Sequence, residues 1–102
     1  MSCPDEEKLE ALKNLFGSMA DVTRLKILYC LSKQDLCVYE LSGSIGMSPS
    51  AVSHQLRLLR HAGLVRFMKQ GKHSVYTLYD NHVHDLFRTG FEHIGEKEPR
   101  DG

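Results

Sequence analysis

Between positions 41 and 79 the chain has no aspartate and no glutamate. The same stretch carries five cations, Arg57, Arg60, Arg66, Lys69 and Lys72, with His54, His61 and His73 among them. Its flanks reverse the balance. Residues 1–40 hold seven acids against five Lys and Arg, and residues 80–102 hold six against three. A net charge of zero therefore hides a basic middle between acidic ends, the footprint of a polyanion-binding surface. Charge alone leaves an ordinary solvated surface equally open.

Other absences narrow the class further. No apolar run reaches the length of a membrane span, and no basic-then-apolar start resembles a signal peptide. A cytoplasmic protein without a membrane partner is expected. The three cysteines, Cys3, Cys30 and Cys37, are odd in number and scattered, which argues against a disulfide framework. There is no nucleophile motif, no phosphate loop and little room for a pocket, so neither an enzyme nor a small organic substrate is expected. Repeats and low-complexity linkers are missing too. What remains, at 102 residues and 41% apolar, reads as one domain over 1–102, with an N-terminal arm of about 1–5 and a flexible tail of about 97–102. So small a core makes burial in a dimer interface an expectation.

Helix signals divide the chain. A first helix starts near Pro4 or Asp5, with acids in its first turn and Leu9, Leu12, Leu15 and Phe16 as its stripe; Gly17 is read as its stop. Asp21 is read as the cap of a second helix with Val22, Leu25, Leu28 and Leu31 inward. A short third helix runs from about Val38 to Ile45, with Leu41 and Ile45 on one side, and Gly46 closes it. Then Ser48 is a good N-cap and Pro49 suits the first helical position, where no N–H is needed. Val52, Leu56 and Leu59 follow at helical spacing, and Gly63 ends that helix. Two β-prone runs around Gly71 read as a hairpin with Lys69, Gln70 and Lys72 at its tip. Asp80 or Asn81 can cap a last helix. The predicted fold is mainly α with a small β-hairpin wing and five or so helices.

A short helix, a tight turn at Gly46 and Met47, and a longer capped helix form a helix-turn-helix pattern. The second helix of such a pair reads DNA. Its early outward positions are Ser50, Ser53, His54, Gln55 and Arg57. Hydroxyls can bond phosphates or bases, and a glutamine can make paired bonds to adenine. Lys69, Gln70 and Lys72 would lie along the phosphates of double-stranded operator DNA.

The stretch "DLCVYELSGSIGMSPSAVSHQLRLLRHAGLVRFMKQGKHSVYTL" closely resembles the ArsR/SmtB family of metal-responsive repressors. The resemblance runs from about Leu9 to Glu96. It implies a winged helix-turn-helix homodimer that represses metal-efflux or metal-storage genes and leaves DNA when metal binds.

The last helix carries candidate ligands in an unusual spacing. Val83, Leu86, Phe87, Gly90, Phe91 and Ile94 form a broad apolar stripe. His82, His93 and Glu96 fall within about 60° of one another along its edge. Yet His82 and His93, eleven residues apart, are separated by about 16 Å on one helix. Ligands of one zinc ion must lie within a few ångströms of each other. Pairing the stripe with an antiparallel copy of itself about a two-fold axis solves this. Asp80 and His82 of one chain then meet His93 and Glu96 of the other, two nitrogens and two oxygens for a tetrahedral zinc, twice per dimer. The resemblance points to the same four residues; His84 has no place among them. Such ligands also suit cobalt and tolerate nickel, with cadmium a poorer match.

A second set involves sulfur. The resemblance implies that some relatives bind soft metals with a cysteine at the position of Cys37, together with cysteines of the partner's N-terminal arm. Here Cys3 stands in the arm, Glu40 offers an oxygen, and Tyr39 replaces a second cysteine. Cys30, on an apolar helix face, reads as a small buried residue. The reading is a zinc-responsive homodimeric repressor of operator DNA. Its alternative senses oxidant or a soft metal, cadmium or lead, through Cys3 and Cys37, with zinc only structural.

Overall fold

Four of the five helices begin on a side chain that closes the first turn, satisfying amide groups that have no partner inside the helix. Asp5 accepts from the Glu7 N–H at 3.2 Å, Asp21 from Arg24 at 3.1 Å, Ser48 from Ala51 at 3.2 Å and Asp80 from Val83 at 3.1 Å. The computed structural model describes residue 3 and residues 5–97, without the side chains of Glu96 and Lys97. The order is α1 (Glu6–Met19), α2 (Val22–Lys33), β1 (Leu36–Cys37), α3 (Val38–Ile45), α4 (Pro49–His61), β2 (Val65–Gln70), β3 (His73–Leu78) and α5 (Asn81–Lys97). Of the expected arm, Met1, Ser2 and Pro4 lie outside the described residues, as do 98–102 of the expected tail.

Several local expectations need correction. Gly17 does not stop α1, which continues to Met19. A helical glycine costs only about 1 kcal/mol, and Ser18 Oγ bonds the Asn14 carbonyl at 2.9 Å across that turn. The stop comes where Asp21 turns extended to cap α2. On α2 the inward residues are Ile27, Leu28 and Leu31; Val22 is 69% exposed and Leu25 is exposed too. The hairpin also has a third strand that the sequence reading lacked. Leu36 and Cys37 pair antiparallel with Tyr76 and Val75, giving a sheet of order β1-β3-β2.

The wing itself is as expected: β2 and β3 pair from Val65↔Leu78 to Gln70↔His73 around Gly71, at φ 65°. Its base is tied down by the Tyr79 N–H on the Leu64 carbonyl at 2.9 Å.

The core lies between α2, α3, α4 and the sheet. Ile27, Leu28, Leu41, Val52, Leu56, Leu59, Leu64 and Val65 are fully buried, and α5 adds Val83 and Phe87. Much apolar surface stays outside. Leu9, Leu12 and Phe16 of α1 are exposed, with Leu86, Phe91 and Ile94 of α5. A hollow of about 210 Å³ lined by Met19, Leu25, Leu86, Phe87, Gly90, Phe91 and Ile94 opens between these helices. The radius of gyration, 15.6 Å, exceeds the about 13 Å of a compact chain this long. One protomer therefore buries only part of its apolar inventory.

Removing Leu56 with Leu56→Ala should lower unfolding free energy by about 2–5 kcal/mol, whereas Leu58→Ala on the exposed side should change it by about 0.5 kcal/mol or less. Urea melts of both variants check this; equal losses would mean that α4 does not pack by its 52–56–59 ridge.

Candidate nucleic-acid interface and metal centre

The turn between α3 and α4 is built around Gly46, at φ 72°, a left-handed backbone that disfavours side chains. The Ser42 carbonyl accepts from both Gly46 and Met47, at 3.0 and 3.3 Å, and Ser42 Oγ donates to the Met47 carbonyl. With Val52, Leu56 and Leu59 buried, α4 turns Ser50, His54, Arg57 and His61 outward, all exposed. Ser53 is half-buried on the flank nearest the wing. Gln55 is half-buried on the opposite flank, where its Oε1 accepts from Arg24 Nε at 3.1 Å. At the wing, Lys69, Gln70 and Lys72 are exposed.

One cation, Arg60, was not among the DNA contacts expected from the sequence. Ser53, Arg57, Arg60, His61 and Tyr76 line one polar recess between α4 and the wing. The Arg60 guanidinium lies 4.6 Å from the centre of the Phe67 ring, which in turn meets Tyr76 at 5.5 Å. Stacking orients the charge without neutralising it. The acid-free stretch named Arg60 as a cation, but only the cross-strand pair Phe67↔Tyr76 shows where it is held.

The candidate metal ligands divide between the two ends of α5. Asp80 caps the helix through Oδ1, and its Oδ2 lies 3.4 Å from His82 Nδ1. The Val83 N–H, and then His82, hold the Asp80 carboxyl below its usual range, so it is an anion ready to bind a cation. Two donors of one tetrahedral zinc, each about 2.0–2.2 Å from it, are about 3.4 Å apart, so this pair fits half a zinc shell. The His82 side chain is 92% exposed. His93 is exposed as well, toward the other end of α5. Glu96 is on α5, but its side chain lies outside the described residues. Among the described residues, no three His, Cys, Asp or Glu side chains of one protomer are grouped to hold a metal ion. His84 turns toward α2, with Nε2 3.3 Å from the Ser32 carbonyl.

Cys37 precedes α3, and its N–H donates to Glu40 Oε1 at 2.9 Å. That bond holds the Glu40 carboxyl below its usual range, with His73 adding to the effect. Cys37 and Glu40 share a recess with Asp35, Gln70, His73 and Val75. Cys3 is exposed, and Cys30 is half-buried against the core.

A family profile described as bacterial regulatory protein, arsR family, matches residues 21–66. The chain is 38% identical over 92 residues to a transcriptional repressor SmtB homolog of Synechocystis sp., covering 90% of this chain and 70% of that one. The chain belongs to the ArsR/SmtB family. Another family member, a cadmium resistance transcriptional regulatory protein CadC homolog of Staphylococcus aureus, is 40% identical over 83 residues, 80% of this chain and 69% of its own. The solution structure of apo-NmtR superposes with a TM-score of 0.82 at 35% identity, covering 100% of this chain and 86% of that one. As an ArsR/SmtB protein the chain is a metal-responsive transcriptional repressor with a DNA-binding helix-turn-helix, and not an enzyme. Among the described residues no helix is long and apolar enough to cross a membrane.

Each phosphate contact contributes about 0.9 to the slope of log affinity against log salt. Arg60→Ala and Lys72→Ala should each flatten that slope by about one and weaken operator and random duplexes alike. Fluorescence titrations across a salt series measure this. An unchanged slope in either variant would remove that residue from the phosphate-contacting set.

Proposed function

We propose that the protein is a zinc-responsive repressor that binds operator DNA as a homodimer in the cytoplasm and is released when zinc fills a site shared between the two α5 helices. The observation that carries this is the division of ligands. An Asp80–His82 pair at the spacing of a tetrahedral edge sits at one end of α5, and His93 sits toward the other. Among the described residues, neither end groups three such side chains within one protomer. Between them runs the uncovered apolar face of Leu86, Phe91 and Ile94, beside α1. Antiparallel pairing of this face about a two-fold axis buries it and brings Asp80 and His82 of each chain to the partner's His93 and Glu96. Apolar burial would stabilise the dimer, and the ligands at its rim would sense the metal. Bound zinc supplies a cross-link between chains, and the chain's own residues orient it.

DNA contacts in this reading come from Ser50, Ser53, His54 and Arg57 of α4 and from Lys69, Gln70 and Lys72 of the wing; Gln55, expected among them from the sequence, bonds Arg24 in the structure. Two reading helices must fit successive major grooves about 34 Å apart. A clamp across the dimer interface can favour a spacing that does not match. The coupling is reciprocal: if zinc weakens DNA binding tenfold, DNA weakens zinc binding tenfold, about 1.4 kcal/mol. The donor set also suits cobalt or nickel.

A second reading is favoured by the Cys37–Glu40 pair, a thiol and an ionised carboxylate in one recess. With Cys3 from an arm, these would bind cadmium or lead, or respond to oxidant. The two readings separate by mutation. Cys37→Ser should leave zinc-driven release unchanged, because the four α5 ligands fill a tetrahedral shell without sulfur; loss of release would move the regulatory site to the cysteines.

The shared site is tested with mixed dimers. One His82→Ala protomer paired with one His93→Ala protomer should bind one tight zinc per dimer, since the mutations fall in the same site and leave the other whole. Each mutant homodimer should bind none and the wild type two. Metal competition assays give the stoichiometry, and zero tight zinc in the mixed dimer would falsify sharing between chains.

A further inference from the structure

Arg24 joins three segments that the chain keeps apart. It lies in the first turn of α2, where its backbone N–H closes the Asp21 cap. Its guanidinium Nε donates to Gln55 Oε1 on α4 at 3.1 Å, and its Nη1 donates to the Ser18 carbonyl in the last turn of α1 at 3.2 Å. Both bonds are partly buried. One planar fork thus holds the end of α1, whose apolar face is uncovered, and the flank of α4. A guanidinium offers donors only, so the Gln55 atom facing it is the amide oxygen. Paired bonds to adenine need that oxygen and the amide nitrogen presented together at the groove. Here one acceptor position of that oxygen is taken by Arg24, on the side of α4 that faces α1 and α2.

We infer that Arg24 is a positioning residue for DNA reading, which acts through Gln55 without touching DNA, and that Gln55 is the receiving end of this strut rather than a base contact. The inference rests on α4 being the reading helix. Gln55 is on the side of α4 away from the wing. The bond there ties that flank of α4 to α2 and, through the same guanidinium, to the end of α1, and so limits roll of α4 about its axis. A roll would move Ser50, His54 and Arg57 relative to base edges but would leave the charge of the surface unchanged. Losing the strut should therefore cost discrimination between sequences more than affinity for DNA in general.

The test uses a duplex that the wild-type protein enriches from a randomised pool, and a scrambled duplex of the same length. The affinity ratio between them is measured for wild type, Arg24→Ala, Gln55→Met, the double variant and Gln55→Glu. Arg24→Ala and Gln55→Met should each lower the ratio by about tenfold, the double no further than the worse single, because the two residues form one contact. Gln55→Glu keeps an acceptor for Arg24 and should hold the ratio within about twofold of wild type, although its charge weakens both affinities. Should Arg24→Ala fail to fold, Gln55→Met and Gln55→Glu decide the matter, since methionine removes the acceptor and glutamate retains it.

Additive losses in the double variant overturn the inference. So does a Gln55→Met protein whose melting temperature falls while its ratio stays at the wild-type value. If Gln55→Glu loses the ratio as Gln55→Met does, the amide nitrogen reads a base and the strut is not the role of Gln55. A wild-type protein that enriches no sequence overturns the reading of α4 itself, and the inference with it.

Discussion

The structure depends on one buried ridge. Val52, Leu56 and Leu59 sit on the inner side of α4 at zero exposure, packed among Ile27, Leu28, Leu41, Leu64 and Val65. Close packing leaves such a ridge only one seat, because a shift of even one methylene is felt. Which side of α4 faces outward follows from that seat. Ser50, His54 and Arg57 are presented outward because the ridge faces in. The chain leaves α4 at Gly63, φ 74°, directly into Leu64 and Val65, so the wing begins from within the same core. The helix proposed to meet DNA and the hairpin beside it are therefore held by a common set of apolar contacts.

The same core is too small to cover α1 and the outer side of α5. Phe87 and Val83 are buried in the protomer while Leu86, Phe91 and Ile94, on the same helix, stay exposed. Phe87 and Phe91 meet edge to face at 5.1 Å, with Tyr29 completing the group. Aromatic contacts thus carry α5 from the protomer's interior to its open face. Under the proposed dimer, that open face is where metal chemistry and protein association become one event. Ligands at the rim of an apolar contact can be cross-linked only when the contact has formed, so metal affinity and dimer geometry are linked thermodynamically.

Under the proposed dimer, regulation would need a path from the dimer face to the reading helix that is stiffer than a loop. The two hydrogen bonds of the Arg24 guanidinium, from the last turn of α1 to the flank of α4, would be part of such a path. The planar fork matters here: a lysine could reach one of the two acceptors but would not fix their relative position.

Much of this protein was legible from residue order because the relevant physics is local. Asp21 and Ser48 announce helix starts by having an oxygen within reach of amides three residues on. Gly46 and Gly71 mark turns that need positive φ. The 52–56–59 spacing names the inner side of α4, and the period change after Gly63 names the wing. The eleven-residue gap between His82 and His93 forbids a shared ion on one helix by length alone. Tertiary structure decided what depends on residues distant in sequence. Leu36 and Cys37 become a strand only because β3 offers its edge. Val22 and Leu25 lie outside while Ile27 lies inside because the angle of α2 is set by its neighbours, not by its own pattern. Glutamine at position 55 has the chemistry of a base reader; in the structure its oxygen accepts from Arg24, 31 residues away. No periodicity encodes such a pairing, because the two helices meet only after the core has chosen how they cross.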